Sequence, residues 1–318
     1  MKGSAISLKD NLSALRARKT FQRAVNIRSH IIRLFLHIFL IVVAFVFLYP
    51  FLYMMITSVK SESDLRNLSV VWIPTQLHWK NYVTAAAYLD IPVHLKNSLM
   101  ITIFSTIGHI LSASFIAYGL ARFKFRGRTL MFCIVIFSII VPPQLVLLPQ
   151  YMMYSSMGMI NTYFPIVLPT FFGYGLRGGL YIFLFRQAYL GMPTEIEDAA
   201  QVDGYGYLSI YWRIALPMMR PSIVVSCLVS IVWHWNDYFE PSVYLLQIHR
   251  LPLPSMLVTV FNGTRDVMDA ILNDKLDMLV TDGVVMAAIV ICILPVLLVF
   301  TFIQRGFVEG VERSGLVE

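Results

Sequence analysis

Residues 198–217 read DAAQVDGYGYLSIYWRIALP (Asp198 to Pro217), a polar island between strongly apolar stretches. Just upstream, Thr194 with Glu197 three residues later predicts a capping box, and Glu195, Glu197 and Asp198 place acidic side chains at the positive end of a helix. That helix is expected to reach about Asp203, where Gly204 and Gly206 permit the positive φ of a sharp turn. A second short helix is expected from Tyr207 to Ala215, stopped by Pro217 and Pro221. Two short helices joined by glycine make a compact knob. Helices that lie on lipid usually carry lysine or arginine on their polar face. This one opens instead on four carboxylates, Glu195, Glu197, Asp198 and Asp203, which favours docking to protein.

The flanking sequence sets the class. The chain has 318 residues, 58% of them hydrophobic and 14% charged, and a mean hydropathy of +0.70, far from an ordinary soluble domain. A bilayer crossing needs about 20 apolar residues. Six stretches qualify: Ile31–Ile56, Ser98–Ala121, Leu130–Leu148, Tyr163–Leu184, Ser222–Tyr238 and Val284–Phe302. The expectation is an all-α, polytopic membrane protein with six transmembrane helices. The first stretch is too long, and the arginine-rich segment before it lacks the small-residue cleavage site of a removed signal peptide.

Lysine and arginine orient it. Lys2, Lys9, Arg16, Arg18, Lys19, Arg23, Arg28 and Arg33 precede the first span, and Arg122, Lys124, Arg126 and Arg128 follow the second; both segments are expected in the cytoplasm. The chain then divides into a basic cytoplasmic segment 1–33, a transmembrane unit 34–303 that includes the loop 190–221, and a cytoplasmic tail 304–318. Segments Ser58–Lys96 and Glu240–Asp282 fall outside. Topology accounts for the net charge of +7, so no nucleic-acid partner is called for.

Chemistry is scarce. Cys133, Cys227 and Cys292 lie inside spans without paired spacing, so neither a disulfide nor a metal is expected. His109, mid-span, reads as a hydrogen-bonded packing residue. No phosphate-binding loop of the GxxxxGK[ST] type occurs, so the chain carries no nucleotide site of the usual kind. A catalytic set is also missing: a membrane-embedded enzyme would need a nucleophile, metal or acid/base group near the polar cluster at Trp233–Glu240, and only His234 is close, on another helical face. A stand-alone ion-coupled transporter would show internal repeats and broken-helix pairs; no convincing repeat is found. Neither alternative explains the knob.

The knob follows the spacing E-A-A, three residues, G, nine residues, I-x-L-P, departing only at Asp198, and so resembles the permease subunits of bacterial ATP-binding-cassette importers. Ser58-Val59-Lys60, Trp72-Ile73-Pro74, Trp79-Lys80-Asn81-Tyr82, Asn97-Ser98, the loop Ala121–Arg128, Val141-Pro142-Pro143-Gln144 with Pro149, Trp235-Asn236-Asp237 and Gln304–Val308 are similar to the carbohydrate-uptake branch, typified by the smaller six-span permease of the maltose importer. The resemblance covers essentially the whole chain. It implies the type I importer architecture, with Asp198, Ala199, Ala200, Gly204, Ile214, Leu216 and Pro217 forming coupling helices in a groove of the ATPase. Glu195, Glu197 and Asp203 flank that set. It implies as partners a second, different permease, two ATPase subunits and an extracytoplasmic sugar-binding protein, the last touched by the loop between spans one and two. Membrane lipid surrounds the assembly. No cofactor is expected on this chain; ATP and magnesium belong to the partner ATPase. Aspartate at position 198 keeps the charge but shortens the reach.

For the path, Trp233, Asn236, Asp237 and Glu240 fall at i, i+3, i+4 and i+7 of a helix, with Tyr238 nearby. Rings cover the apolar faces of sugars while amides and carboxylates bond hydroxyls; equally, such residues suit the aromatic belt at the membrane edge. The run Gly173–Gly179 interrupts span four. Its glycines read first as packing residues and second as a point where the helix unwinds at the cavity and makes Arg177 available to a polar or anionic substrate; Arg177 itself needs a carboxylate, carbonyls or water. Pro142, Pro143, Pro165 and Pro169 read as helix-end markers.

Overall fold

The computed structural model describes residues 32–262 and 281–315, with side chains through 259 in the first segment and 304 in the second. Among them the architecture is all-α, with no strand. Helix α1 is Ile32–Ser58. A connecting segment carries α2 (Glu62–Arg66), and α3 (Lys80–Leu89) runs into α4 (Ile91–Arg122) through Asp90 in the left-handed conformation. Then come α5 (Arg128–Ile140), α6 (Leu147–Ser156), α7 (Phe164–Val167) and α8 (Gly178–Leu190). The knob holds α9 (Glu195–Val202) and α10 (Tyr207–Met218). Helices α11 (Arg220–Asn236), α12 (Phe239–Tyr244), α13 (Leu253–Asn262) and α14 (Asp282–Gly315) complete the chain.

Among the described residues, three helical stretches are long and apolar enough to cross a membrane, Ile32–Ser58, Ile91–Arg122 and Asp282–Gln304, and a fourth arises if α10 and α11, which meet at 74°, count as one. The expected third and fourth spans are broken. Helix α5 ends at Ile140 before Pro142 and Pro143, and the fourth divides into α7, a 3₁₀ turn Leu168–Phe172 and α8. The cause is local: proline cannot continue the hydrogen-bond ladder, and Gly173 (φ +73°) and Gly175 (φ +101°) turn the backbone where other residues are strained. Helix α14 continues past residue 304 to Gly315, so the expected tail begins as an extension of the last helix. The basic residues Lys2 to Arg28, and residues 263–280 of the segment expected outside, lie outside the described residues.

Helix α4 is the axis of the bundle, packed on α8, α11 and the 3₁₀ turn. Its inward face is small and weakly polar, with Ser98, Ser105, Gly108, Ala113, Ser114, Ala117 and Ala121 buried, which lets neighbouring backbones come close. A Cβ at Gly179 would lie 2.4 Å from Ser138 Oγ and 2.8 Å from the Val135 carbonyl. Gly179 is therefore what allows α8 to sit against α5, as the packing reading expects. One core, with Tyr118, Tyr181, Phe185, Tyr189 and Tyr211, lies toward the knob; another, with Tyr88, Trp235, Met256 and Cys292, fills the opposite end. Asn97 Nδ2 donates to the carbonyls of His249 (2.8 Å) and Leu251 (3.1 Å), and Ser98 Oγ accepts the Leu253 N–H (2.7 Å), so the Asn97-Ser98 pair pins the start of α13 to α4. The three cysteines are unbridged, and His109 is fully buried, its ring 4.5 Å from that of Tyr181 and 5.2 Å from that of His234.

Candidate functional site

Two sites stand at opposite ends of α11. At its start is the knob. Helix α9 spans Glu195–Val202 with Asp203 as its last cap, and Gly204 turns the chain at φ +88°. Gly206 stays extended at ψ 158° and opens α10, so one glycine, not two, makes the turn. The predicted capping box does not form: Thr194 makes no side-chain cap. Glu197 points inward instead, where Arg122 Nε donates to its Oε1 at 2.8 Å and Tyr118 OH to its Oε2 at 3.4 Å. Arg122 Nη2 also holds the Met192 carbonyl at 2.8 Å. Both charged side chains are buried, 9% and 8% exposed. A buried ion pair outcompetes a solvent-exposed cap because leaving either charge alone would cost about 3–5 kcal/mol.

The second knob helix continues past the expected stop. It passes through a π turn at Tyr211–Ala215, with the Leu216 N–H reaching the Tyr211 carbonyl, and runs on to Met218. The widened turn accommodates Pro217, which has no N–H and would crowd the Arg213 carbonyl in a regular helix. Pro221 opens α11 and stops nothing. Tyr211 is fully buried; its hydroxyl donates to Ser114 Oγ (3.3 Å), which also bonds Tyr189 OH (2.8 Å).

The residues expected to couple to an ATPase accordingly split by face. Glu197 and Ala200 are buried, Ile214 and Leu216 are half-buried, and Glu195, Asp198, Ala199, Asp203, Gly204 and Pro217 are exposed. Exposed with them, and unnoticed in the sequence, are Val202 (88%), Leu208 and Trp212. Their only local signal is that large apolar side chains sit on the outer turns of short helices. Arg122 as the anchor of the knob was equally hidden, since it lies 75 positions from Glu197.

At the far end of α11 is a cavity of about 490 Å³. Trp233, Asn236, Asp237, Tyr238, Glu240 and Arg177 all line it, together with Ile139–Gln144 and Leu176. A second cavity, about 250 Å³, shares Arg177, Leu176 and Glu240. The expected single helical face is not what assembles it. Helix α11 ends at Asn236, Asp237 is extended, and α12 begins anew at Phe239. Asp237 Oδ1 accepts the N–H groups of Phe239 (2.9 Å) and Glu240 (3.4 Å), which starts α12 and swings Glu240 into the cavity. Asp237 Oδ2 has no hydrogen-bond partner. Arg177, itself at φ +62°, lays its guanidinium 4.4 Å from the Trp233 ring centre. The ion pairs among the described residues, Arg66–Glu62 and Arg122–Glu197, leave Arg177, Asp237 and Glu240 unpaired. Asn236 Nδ2 donates back to the Val232 carbonyl at 2.8 Å, so the cavity offers an aromatic face, an amide oxygen, two carboxylates and a guanidinium that close no ion pair, a donor and acceptor set suited to a polyhydroxylated guest.

Residues 109–313, which include both sites, match the family described as binding-protein-dependent transport system inner membrane component. The chain belongs to this family. It is the permease subunit of an ATP-binding-cassette importer, a transport subunit set in the membrane by several apolar helices. The chain is 28% identical to the arabinooligosaccharides transport system permease protein AraQ of Halalkalibacterium halodurans, over 86% of this chain and 92% of that protein. It is 30% identical to the osmoprotective compounds uptake permease protein GgtD of Synechocystis sp., over 87% and 89%. A chain in the crystal structure of a bacterial ABC transporter involved in the import of the acidic polysaccharide alginate superposes with a TM-score of 0.71 at 23% identity, covering 87% of this permease and 96% of that chain. This last likeness shows the fold.

Proposed function

We propose that this permease forms half of the path by which a sugar or oligosaccharide enters the cell, driven by ATP hydrolysed on partner chains. The observation that carries the reading is that the knob is bolted to α4 by the buried Arg122–Glu197 pair while its tip, with Val202 88% exposed, is bare. A lever must be rigid where it joins the moving part and open where it is pushed. The partners are a different permease that completes the channel, two ATPase subunits that hold ATP and magnesium, and an extracytoplasmic binding protein. The carbohydrate assignment draws on the names of relatives such as the arabinooligosaccharide permease and on the aromatic and polar lining of the cavity.

The knob and both termini face the cytoplasm in this reading, on the side of Arg122, Lys124, Arg126 and Arg128. Six crossings follow if the broken helices are completed by their neighbours, since the 13 residues of α5 or of α8 extend only about 20 Å. The test is affinity purification from native membrane in mild detergent, with ATP hydrolysis assayed on what accompanies the tagged chain. An ATPase that co-purifies, and is lost on Gly204→Trp or Val202→Asp, is the expected result. A chain free of ATPase that moves solute under an ion gradient overturns it.

A further inference from the structure

Lys60 and Asp64 are buried where burial is hard to justify. They lie in the segment between α1 and α3, outside any span, yet are 5% and 3% exposed. Lys60 Nζ donates to the carbonyls of Val70 (2.7 Å) and Val71 (2.8 Å). Asp64 accepts the Thr75 hydroxyl at 2.7 Å and the Thr75 N–H at 3.0 Å, bonds that hold its carboxyl below the usual carboxylate range. The Ser69 N–H goes to Asn67 Oδ1 (3.0 Å) and the His78 N–H to the Val59 carbonyl (2.8 Å). A loop in water needs none of this, because solvent satisfies its carbonyls and an ordered lysine forfeits about 2 kcal/mol of side-chain entropy. A loop against lipid has no such solvent and must satisfy its backbone from within.

The outward side of the same loop agrees. Residues 67–78 carry no lysine, arginine, aspartate or glutamate, and Leu68 is 93% exposed and Ile73 82% exposed. Trp72 meets Tyr49 of α1 edge-on at 5.3 Å. Tyr49 is nine residues before the end of α1 at Ser58, so the loop folds back alongside the span by about 13 Å and does not rise above it. The span it lies against buries none of its apolar window in the described chain, so the surface that the finger extends is left to lipid or to the second permease, and the charge-free loop favours lipid.

We propose that residues 68–77 form a hydrophobic finger seated in the interfacial layer of the outer leaflet. Lys60 and Asp64 stand in for water at its base, and Trp72 is its interfacial anchor. The partner is phospholipid at the boundary between headgroup and acyl chain. The exposed Glu62–Arg66 pair on α2 marks the edge that stays in water. The proposal needs α1 to cross the membrane and is otherwise independent of the cargo and of the ATPase.

The test uses the full importer in phospholipid nanodiscs, with Cys133, Cys227 and Cys292 replaced by alanine and a nitroxide attached at Leu68→Cys, Ile73→Cys or Glu62→Cys. Collision with oxygen is expected to exceed collision with a nickel chelate several-fold at 68 and 73, with the reverse at 62, before any binding protein is added. Lys60→Met in the same background is expected to shift both finger labels toward the chelate, because two carbonyls lose their donor. Water-like labels at 68 and 73 overturn the proposal, as do labels shielded from both oxygen and chelate, which would place them against the second permease, and lipid-like or protected behaviour that arises only on adding binding protein. ATPase retention read on the same preparations keeps this failure separate from failure of the proposed function.

Discussion

The two ends of α11 solve opposite problems with similar residues. At the knob, Arg122 and Glu197 close on one another at 2.8 Å, and Tyr118, Ser114 and Tyr211 complete the set. At the cavity, Arg177, Asp237 and Glu240 share one space without forming an ion pair, and Arg177 rests on Trp233 instead. In the proposed function, charge that carries force is paired within the chain, whereas charge that meets a guest is left open. Unpaired polar groups at membrane depth are costly, so the open arrangement is tolerable only beside a cavity that admits water or cargo.

The largest expected effect breaks the paired end. Arg122→Met leaves the Glu197 carboxylate buried alone and is expected to cost about 3 kcal/mol or more, seen as a lower thermal midpoint of the purified complex and ATP hydrolysis no longer stimulated by binding protein. Adding Glu197→Leu should recover much of the midpoint, since replacing a buried pair is cheaper than breaking it. If Arg122→Met alone leaves the midpoint unchanged, the contrast between the two ends fails.

Next comes a pair of glycines. Gly179→Val should destabilise by about 1–3 kcal/mol through overpacking against α5. Gly204→Ala meets open space at φ +88° and should cost only the left-handed strain, about 1–2 kcal/mol; chemical denaturation of both variants ranks them. The smallest change in stability is expected at the open end. Trp233→Leu should alter stability by no more than about 1 kcal/mol, the worth of its exposed cation–π contact. Its apparent KM for transport in proteoliposomes should rise roughly tenfold, as loss of about 1.4 kcal/mol of cargo contact implies. A fall in stability with KM intact would recast the cavity as structural.

What could be read in advance follows the range of each interaction. The knob was legible because Gly204 and Pro217 act on their own backbone. The capping box at Thr194 was misread because the competing partner of Glu197 is Arg122, far away in the chain, and no local pattern records it. Hydropathy averages over side chains and so counts spans three and four as full crossings, whereas their backbone breaks are marked only by the Pro142-Pro143 pair and the Gly173–Gly179 run. Trp233, Asn236, Asp237, Tyr238, Glu240 and Arg177 do line one cavity, but no single helical face assembles them, because the helix stops at Asn236. The legible clue was Asp237 itself, a residue that bonds the backbone two positions on and so tends to restart a chain rather than prolong a helix.

The elbow between α10 and α11 gives the lever a scale. The two helices meet at 74° at Met219, and the 17 residues of α11 make an arm of about 25 Å. With such an arm, a rocking of roughly 10° at the elbow would sweep Trp233 and Asn236 through about 4 Å, more than the width of a water molecule. In the proposed function, a small tilt imposed on the knob would thereby be geared into a displacement large enough to change what the cavity admits.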